Sequence, residues 1–378
     1  MYNFKIYTKV DSKWNENLMK SKHGNFFQTA EYVDSDSKDF FPIFVYVFDE
    51  NGTVVGQLTI RIIKTTVLYS SPIIHKIVRI LSKITSRGIW LYGPVIHSSD
   101  KQSRIEILRI LLKAIDEILE RYDLVHIEGY SPPYDLLVDE DYKREFKKNG
   151  YIIRDYVTFL ANLDKSIDEI WQSIDKKARG DVTRAKKRGV IIKELNTRDQ
   201  LKEYLLLHQR WAKTKGLVVT NPFTEEDYLW NNYKKGLEVF FLAYQDNQLI
   251  SGVRIGCFNS MAHANFILSS YSGPTSLGGP MLTWYILEWA KQAGIKIYDF
   301  SGGRKNNQDA IEDKNTLLFY KKKWGGEEYS HYNFVKSRKK TLYRLYKFLF
   351  HLAKSYHNLK SRQRPLITQT ITTSKASI

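Results

Sequence analysis

Twice along this chain the same order of patterns recurs: a strand hairpin, an amphipathic helix, then another strand. In the first instance residues 44–48 and 54–63 are β-prone runs flanking Asp49-Glu50-Asn51-Gly52. Asn-Gly there favours the left-handed backbone of a tight hairpin turn. Ile105, Leu108, Leu111, Leu112, Ile115, Ile118 and Leu119 then recur at helical spacing and give one apolar face. Residues 124–128 read as a strand, Ser131-Pro132-Pro133 as a turn, and Asn149-Gly150 as the end of a short helix. In the second instance 239–244 and 249–258 bracket the turn Gln245-Asp246-Asn247-Gln248, and 261–268 reads as a third strand. A Gly-rich stretch at 273–279, a helix from 281 to about 292 and a strand over 295–300 complete it.

That order, with no repeat at the level of residues, predicts a duplicated α/β (α+β) architecture of two tandem domains, each a mixed sheet flanked by helices. The expected divisions are 1–155, 156–330 and a basic tail, 331–378. A length of 378 residues exceeds one ordinary core, and 43% apolar with 14% aromatic content is enough for two. The net charge of +17 favours an acidic partner: nucleic acid, a nucleotide-bearing precursor or an anionic membrane surface.

The one cysteine, Cys257, lies in the apolar stretch 253–258, so a disulfide within the chain is impossible and a buried, inert thiol is expected. Met1-Tyr2-Asn3-Phe4-Lys5 lacks a signal peptide's apolar core. No run approaches the ~18 apolar residues of a membrane span. A soluble, cytoplasmic protein is expected, with contact at the inner face of the cell membrane as an extension.

The stretch 298–326 is the most informative for function. Ile295-Lys296-Ile297-Tyr298-Asp299-Phe300 alternates as a strand, and Ser301-Gly302-Gly303 is expected to end it, since glycine permits a positive-φ turn. Lys321, Lys322 and Lys323 precede Trp324-Gly325-Gly326, a composition suited to an anionic ligand such as a phosphate. A solvated lysine run is the plainer reading. Asp299, at the strand end, can take a proton or position an amine, or can equally cap the turn through backbone N–H groups. Arg304 follows as an anion ligand. Tyr298 alternates to the opposite strand face, so Tyr298 and Asp299 line one pocket only if the strand bulges.

Tyr298-Asp299-Phe300-Ser301-Gly302, followed by Phe319-Tyr320-Lys321 and Trp324-Gly325-Gly326, resembles the C-terminal signature of the FemABX transferases. Three other stretches agree with this likeness. The segment 171–190 is similar to the family's basic segment, and Gly279-Pro280-Met281-Leu282 with Trp289-Ala290-Lys291 and Gly294 to its helix before the Asp-Phe strand. Phe26-Phe27-Gln28-Thr29 and Leu91-Tyr92-Gly93-Pro94 look like first-domain landmarks, so the resemblance runs over residues 25–327. It implies two GNAT-like domains and transfer of an aminoacyl group from aminoacyl-tRNA to an amine of a peptidoglycan-like envelope precursor. It implies Lys321 as the functional lysine, stabilising the oxyanion or donor phosphate, with Lys322 or Lys323 as alternatives for that role and otherwise as substrate-binding residues. Arg179, Arg184 and Lys186, in the dense basic run 176–188, would bind phosphate. No cofactor or metal is called for.

One departure stands out. The family's lysine after the Gln-Ser/Thr landmark is replaced here by Glu31, Asp34 and Asp36, with Lys38 the first cation, which leaves a different acceptor open. A long helical-hairpin arm also looks absent, with only short helices expected over 200–236.

Other chemistries find no support. There is no HExxH, GxSxG or P-loop, and 272–279 lacks the acyl-CoA loop pattern, though its glycines can still present N–H groups at a helix start. An acyl-CoA N-acyltransferase acting on a lipid or sugar amine is the alternative enzyme; a binding protein for tRNA or anionic lipid is the non-enzymatic one.

Residues 331–378 contain no Asp or Glu. Over 341–356, Leu342, Leu345, Leu349, Leu352 and Tyr356 share one helical face, with Arg344, Lys347, His351 and Lys354 on another. Such a helix can lie on anionic lipid or pack its leucines on the body, and the packed arrangement is preferred. The Thr/Ser-rich tail after Pro365 is expected to be disordered.

Overall fold

A computed structural model describes residues 1–34, 40–63, 86–135, 138–214, 221–269, 277–305 and 317–348. The first half contains β1 (Asn3–Tyr7), α1 (Lys13–Lys20), α2 (Ala30–Val33), β2 (Phe40–Phe48), β3 (Val54–Ile63), β4 (Arg87–Trp90) and β5 (Val95–Ile96). It continues with α3 (Lys101–Arg121), β6 (His126–Tyr130) and α4 (Glu140–Lys148). Next come β7 (Ile152–Asn162), α5 (Ile167–Ser173), α6 (Lys176–Lys187), β8 (Ile191–Glu194), α7 (Arg198–Thr214) and α8 (Glu226–Lys234). The chain then forms β9 (Glu238–Gln245), β10 (Gln248–Phe258), β11 (Met261–Ser269), α9 (Gly278–Gln292), β12 (Ile297–Arg304), α10 (Leu317–Lys322) and β13 (Glu327–Ser337). A last helix, α11, is described over 340–348.

All the strands join one mixed sheet in the order β1-β2-β3-β4-β6-β13-β7-β12-β11-β10-β9-β8, with β5 beside β3. The order is the same read from either end. Each half has four antiparallel strands (β1–β4, β8–β11), a parallel step (β4 with β6, β11 with β12), and then one closing strand. The closing strands are exchanged in sequence: β7 follows the first half but pairs with β12, whereas β13, last in the chain, pairs with β6. They meet antiparallel from Glu327↔Leu160 to Val335↔Ile152, forming the seam of the molecule. The expected boundary at 155/156 lies within β7 and that at 330/331 within β13.

Both hairpins form as the sequence indicates. The Asp246-Asn247 turn takes φ of 48° and 59°, the left-handed pair that matches strand twist. The apolar face of α3 packs with β2, β3 and α4 around Phe146 and Phe334, and a second core gathers α5, α6 and α9 on β10–β12. A smaller core lies under α7 and α8. Here α7 spans 17 residues, longer than the short helices expected over 200–236. Strand β6 starts two residues later than the periodicity indicates, because Leu124 and Val125 are buried in the approach to the strand.

The Ser301-Gly302-Gly303 turn is corrected. Strand β12 does not end there but runs on to Arg304, and the pairing with β7 slips between Asp299 and Gly302. The positive φ, 62°, belongs to Ser301 rather than to a glycine. Gly302 is required for another reason: a Cβ on it would lie 1.6 Å from the Val157 carbonyl oxygen. This is a β-bulge, which re-aims side chains within a continuing strand.

Gly278 and Gly279 form the first residues of α9 rather than a loop, while 272–276, like 35–39, 349–356 and the tail after 365, lie outside the described residues. Among the described residues no helix is long and apolar enough to cross a membrane.

Candidate active site at the seam

Asp299 is the centre of the site. Its side chain is fully buried, and its partners come from the bulge, from the strands on either side and, through Tyr92, from the first half. Thr158 on β7 donates its hydroxyl to Oδ1 at 2.6 Å, and the Ser301 N–H donates to the same oxygen at 2.7 Å. His263 on β11, in register with Asp299, places Nδ1 3.2 Å from Oδ2. Burial opposes the charged carboxylate, but bonds from His263, Thr158 and Tyr92, with the attraction of His263, hold the pKa below the usual carboxylate range. Ser301 is pinned from both ends, because its Oγ also donates to the Ala264 carbonyl at 2.6 Å.

Lys321 on α10 reaches this group. Its Nζ donates to the Gly302 carbonyl at 3.5 Å, so the bulge supplies its acceptor. Burial pushes the lysine pKa down to about 8, with the Asp299 charge pulling it partly back up. A half-buried ammonium beside a buried carboxylate can stabilise charge that develops on a bound reactant.

The first half contributes the opposite wall. Asn25 and Gln28 are buried pegs: Asn25 Nδ2 bonds the Tyr92 carbonyl at 2.8 Å, and Gln28 Nε2 bonds the Leu91 carbonyl at 2.7 Å. They hold Phe27 and Tyr92 against the His263 ring, at centroid separations of 5.0 and 5.6 Å. Burial, reinforced by Asp299, raises the Tyr92 phenol well above its ordinary value, so it remains a donor. From the seam, His331 on β13 packs 5.6 Å from Tyr92, and burial pushes its pKa down to about 4. Tyr130 and Tyr156 continue this aromatic wall along β6 and β7.

Of the residues singled out from sequence, Asp299 and Lys321 are therefore brought together. The three lysines do not converge. Lys322 is exposed, and Lys323 turns toward Asp181 on α6 at 3.9 Å while lying over the Tyr320 ring at 4.7 Å. Trp324 is buried, and Gly325 packs where a Cβ would meet Ser173 Oγ at 2.3 Å, so Trp-Gly-Gly is a packing junction.

Helix α6 buries Ala178, Val182 and Ala185 against the core, so its charges leave one face apolar rather than surrounding the helix. Arg179 bonds Gln172 at 2.7 Å, Arg184 pairs with Asp181, and Lys186 acts on Glu288 of α9. Arg304 is exposed at the end of β12. Tyr298 is fully buried on the face away from Asp299, packed on Phe300 at 4.8 Å, and the bulge, lying beyond Asp299, does not bring it round. Cys257 is half-buried rather than fully buried as expected, yet burial still pushes its thiol up to about 12, as an inert thiol requires.

His263, Thr158, Tyr92 and His331 escaped the sequence reading. Only Tyr92 carried a signal, within Leu91-Tyr92-Gly93-Pro94; a lone histidine in an alternating strand is ordinarily a core residue.

Two GNAT-like halves joined in one mixed sheet make a tandem GNAT-like fold. No family model and no curated protein matches the sequence. Among solved structures, FemX superposes with a TM-score of 0.68 over 90% of this chain and 99% of its own, at 16% identity. L-PGS from Bacillus licheniformis matches with a TM-score of 0.54 over 93% and 96%, at 12% identity. A tandem GNAT protein from the clavulanic acid biosynthesis pathway matches with 0.52 over 89% and 98%, at 11% identity. The chain has the FemABX-like GNAT fold.

Proposed function

We propose that this protein is an N-acyltransferase that moves an aminoacyl group from aminoacyl-tRNA to an amine of a cell-envelope precursor. The observation that carries this reading is Lys321, a half-buried cation with pKa about 8 held at the seam by the bulge and Asp299. The fold shared with FemX and with L-PGS supports the reading over a plain acyl-CoA enzyme.

In the proposed step the neutral acceptor amine attacks the ester carbonyl carbon, and the carbonyl electrons move onto oxygen. The Lys321 ammonium stabilises that oxyanion. The oxyanion then collapses, the carbon–oxygen bond to the ribose breaks, and the ribose oxygen takes the proton the amine gives up. Positioning and electrostatics supply the rate. Asp299 is fully buried, so its part is to hold the bulge and the charge of Lys321. The exposed cations Lys186, Lys322 and Arg304 stand available to phosphate, whereas Arg179 would first have to release Gln172, and Arg184 and Lys323 to release Asp181. The tandem halves 1–155 and 156–330 would together form the donor and acceptor cleft.

The test is transfer of radiolabelled amino acids from a charged total tRNA pool to envelope extract, comparing wild type with Lys321→Ala. Label is expected in an RNase-resistant product with wild type and at least about 100-fold less with the variant. Absence of transfer from tRNA, with turnover of acyl-CoA by the same preparation, would replace the donor.

A further inference from the structure

Within its described residues the C-terminal helix docks chiefly through two tyrosines. Over 340–348 the ring and hydrogen-bond contacts to the body are made by Tyr343 and Tyr346, with Leu342 partly buried beside them. The Tyr343 ring lies 4.7 Å from the His126 ring and its hydroxyl accepts from Arg154 at 3.5 Å. Tyr346 lies 5.2 Å from His126, with the Arg87 guanidinium 5.7 Å from its ring. The opposite face therefore points outward, leaving Leu345 39% and Phe348 59% exposed.

Charge accompanies these apolar side chains. Lys336 is paired with Asp116, and Arg338 and Lys339 with Asp123, so those cations are neutralised. Among the described residues Lys340 and Arg344, which flank Leu345 and Phe348 on the outward side of the helix, form no ion pair. A helix fixed to its domain by aromatics, with Leu and Phe outward between unpaired cations, matches the interface of an anionic bilayer: apolar side chains enter the acyl boundary and cations meet lipid phosphate. A protein groove would also accept the leucine and phenylalanine but has no general need of the cations, and the total absence of Asp and Glu from 331–378 favours the lipid surface.

We infer that the outward face of α11, centred on Leu345 and Phe348 with Lys340 and Arg344, seats the protein on anionic membrane. The inference does not rest on the transferase reading, since membrane binding is measured without turnover.

The full chain is tested by flotation with phosphatidylcholine vesicles, with and without phosphatidylglycerol. Wild type is expected to float with the anionic vesicles only, and Leu345→Glu/Phe348→Glu to bind them about tenfold more weakly. Both positions are exposed, and an unchanged circular dichroism spectrum verifies the fold of the variant. A second measurement places an environment-sensitive dye on Phe348→Cys in a Cys257→Ser background, where anionic vesicles should shift its emission to the blue. Failure of wild type to float overturns the inference. So does undiminished binding by the double variant, or binding with no dye shift, which would place attachment elsewhere. Wild-type self-association abolished by L345E/F348E, without vesicle binding, would assign the face to a second copy of this chain.

Discussion

Asp299 and Lys321 act on each other through one backbone carbonyl and a short electrostatic path, and this makes their titration separable by mutation. Lys321 carries charge below about pH 8 and loses it above, so a reaction needing the cation should show kcat falling as pH rises through that region. The carboxylate of Asp299 raises the lysine pKa against the larger effect of burial. Asp299→Asn removes that pull, so the falling limb should move to lower pH, which a pH–rate series on the two proteins would measure. A limb that stays in place would detach the carboxylate from the lysine. Gly302 gives a steric counterpart. Because an added Cβ would strike the Val157 carbonyl at 1.6 Å, Gly302→Ala must displace the bulge from β7. We expect it to cost on the order of 3 kcal/mol of stability, read by denaturant unfolding, and to lower kcat as the acceptor carbonyl for Lys321 moves. At this scale the sequence was partly legible: Asp299 and Lys321 stand in recognisable strings, but the slip that turns Ser301 left-handed is set by β7, distant in the chain.

At the scale of elements, hydrophobic periodicity located the hairpins, α3 and α9 because each buries one regular face against the sheet. For α11 it indicated the leucines, whereas the docked face over 340–348 carries Tyr343 and Tyr346 on His126, with Leu342 partly buried beside them and Leu345 exposed. Side chains on β4, β6 and β7 decide that choice, and no local pattern encodes them. The docking has a consequence for pH. Burial, with the nearby Arg87 and Arg154, lowers the His126 pKa to about 3 from 6.5. The undocked state therefore binds the proton more readily between those values, and docking is favoured at neutral pH and weakens as pH falls below about 6.5. Glu128, whose pKa burial raises, faces the same helix and Tyr346 and acts in the opposite sense. Hydrogen exchange over 340–348 should accelerate, beyond the intrinsic pH effect, on going from neutral to mildly acidic buffer. His126→Phe, which keeps a ring under Tyr343 and Tyr346, should remove that acceleration; equal acceleration in the variant would exclude His126 as its source.

The whole molecule is governed by the exchange of β7 and β13. The recurrence of hairpin, helix and strand in each half is legible in the sequence, yet the exchange is not. Strands β7 and β13 carry no signal of partners on the far side of a boundary, and 155/156 and 330/331 consequently fell inside them. Each closing strand belongs by sequence to one half and by hydrogen bonding to both. Without β13 the edge of β6 is unpaired and Phe146 loses Phe334, which stacks on it at 3.7 Å. Without β7, β12 loses the partner that shapes its bulge, and Phe159 leaves the second core. Unfolding either half therefore exposes the buried surface of the other. Two domains joined by a linker would melt in two calorimetric transitions; a sheet continuous through its seam should melt in one, with calorimetric and van 't Hoff enthalpies equal. A proline at Ser330, where β13 pairs with Val157 of β7 within the seam, should lower that single melting temperature without splitting the transition. Two resolved transitions in the wild type would mean that the halves are thermodynamically independent despite the shared strands. The site at their seam would then depend on docking between domains rather than on a single folded unit.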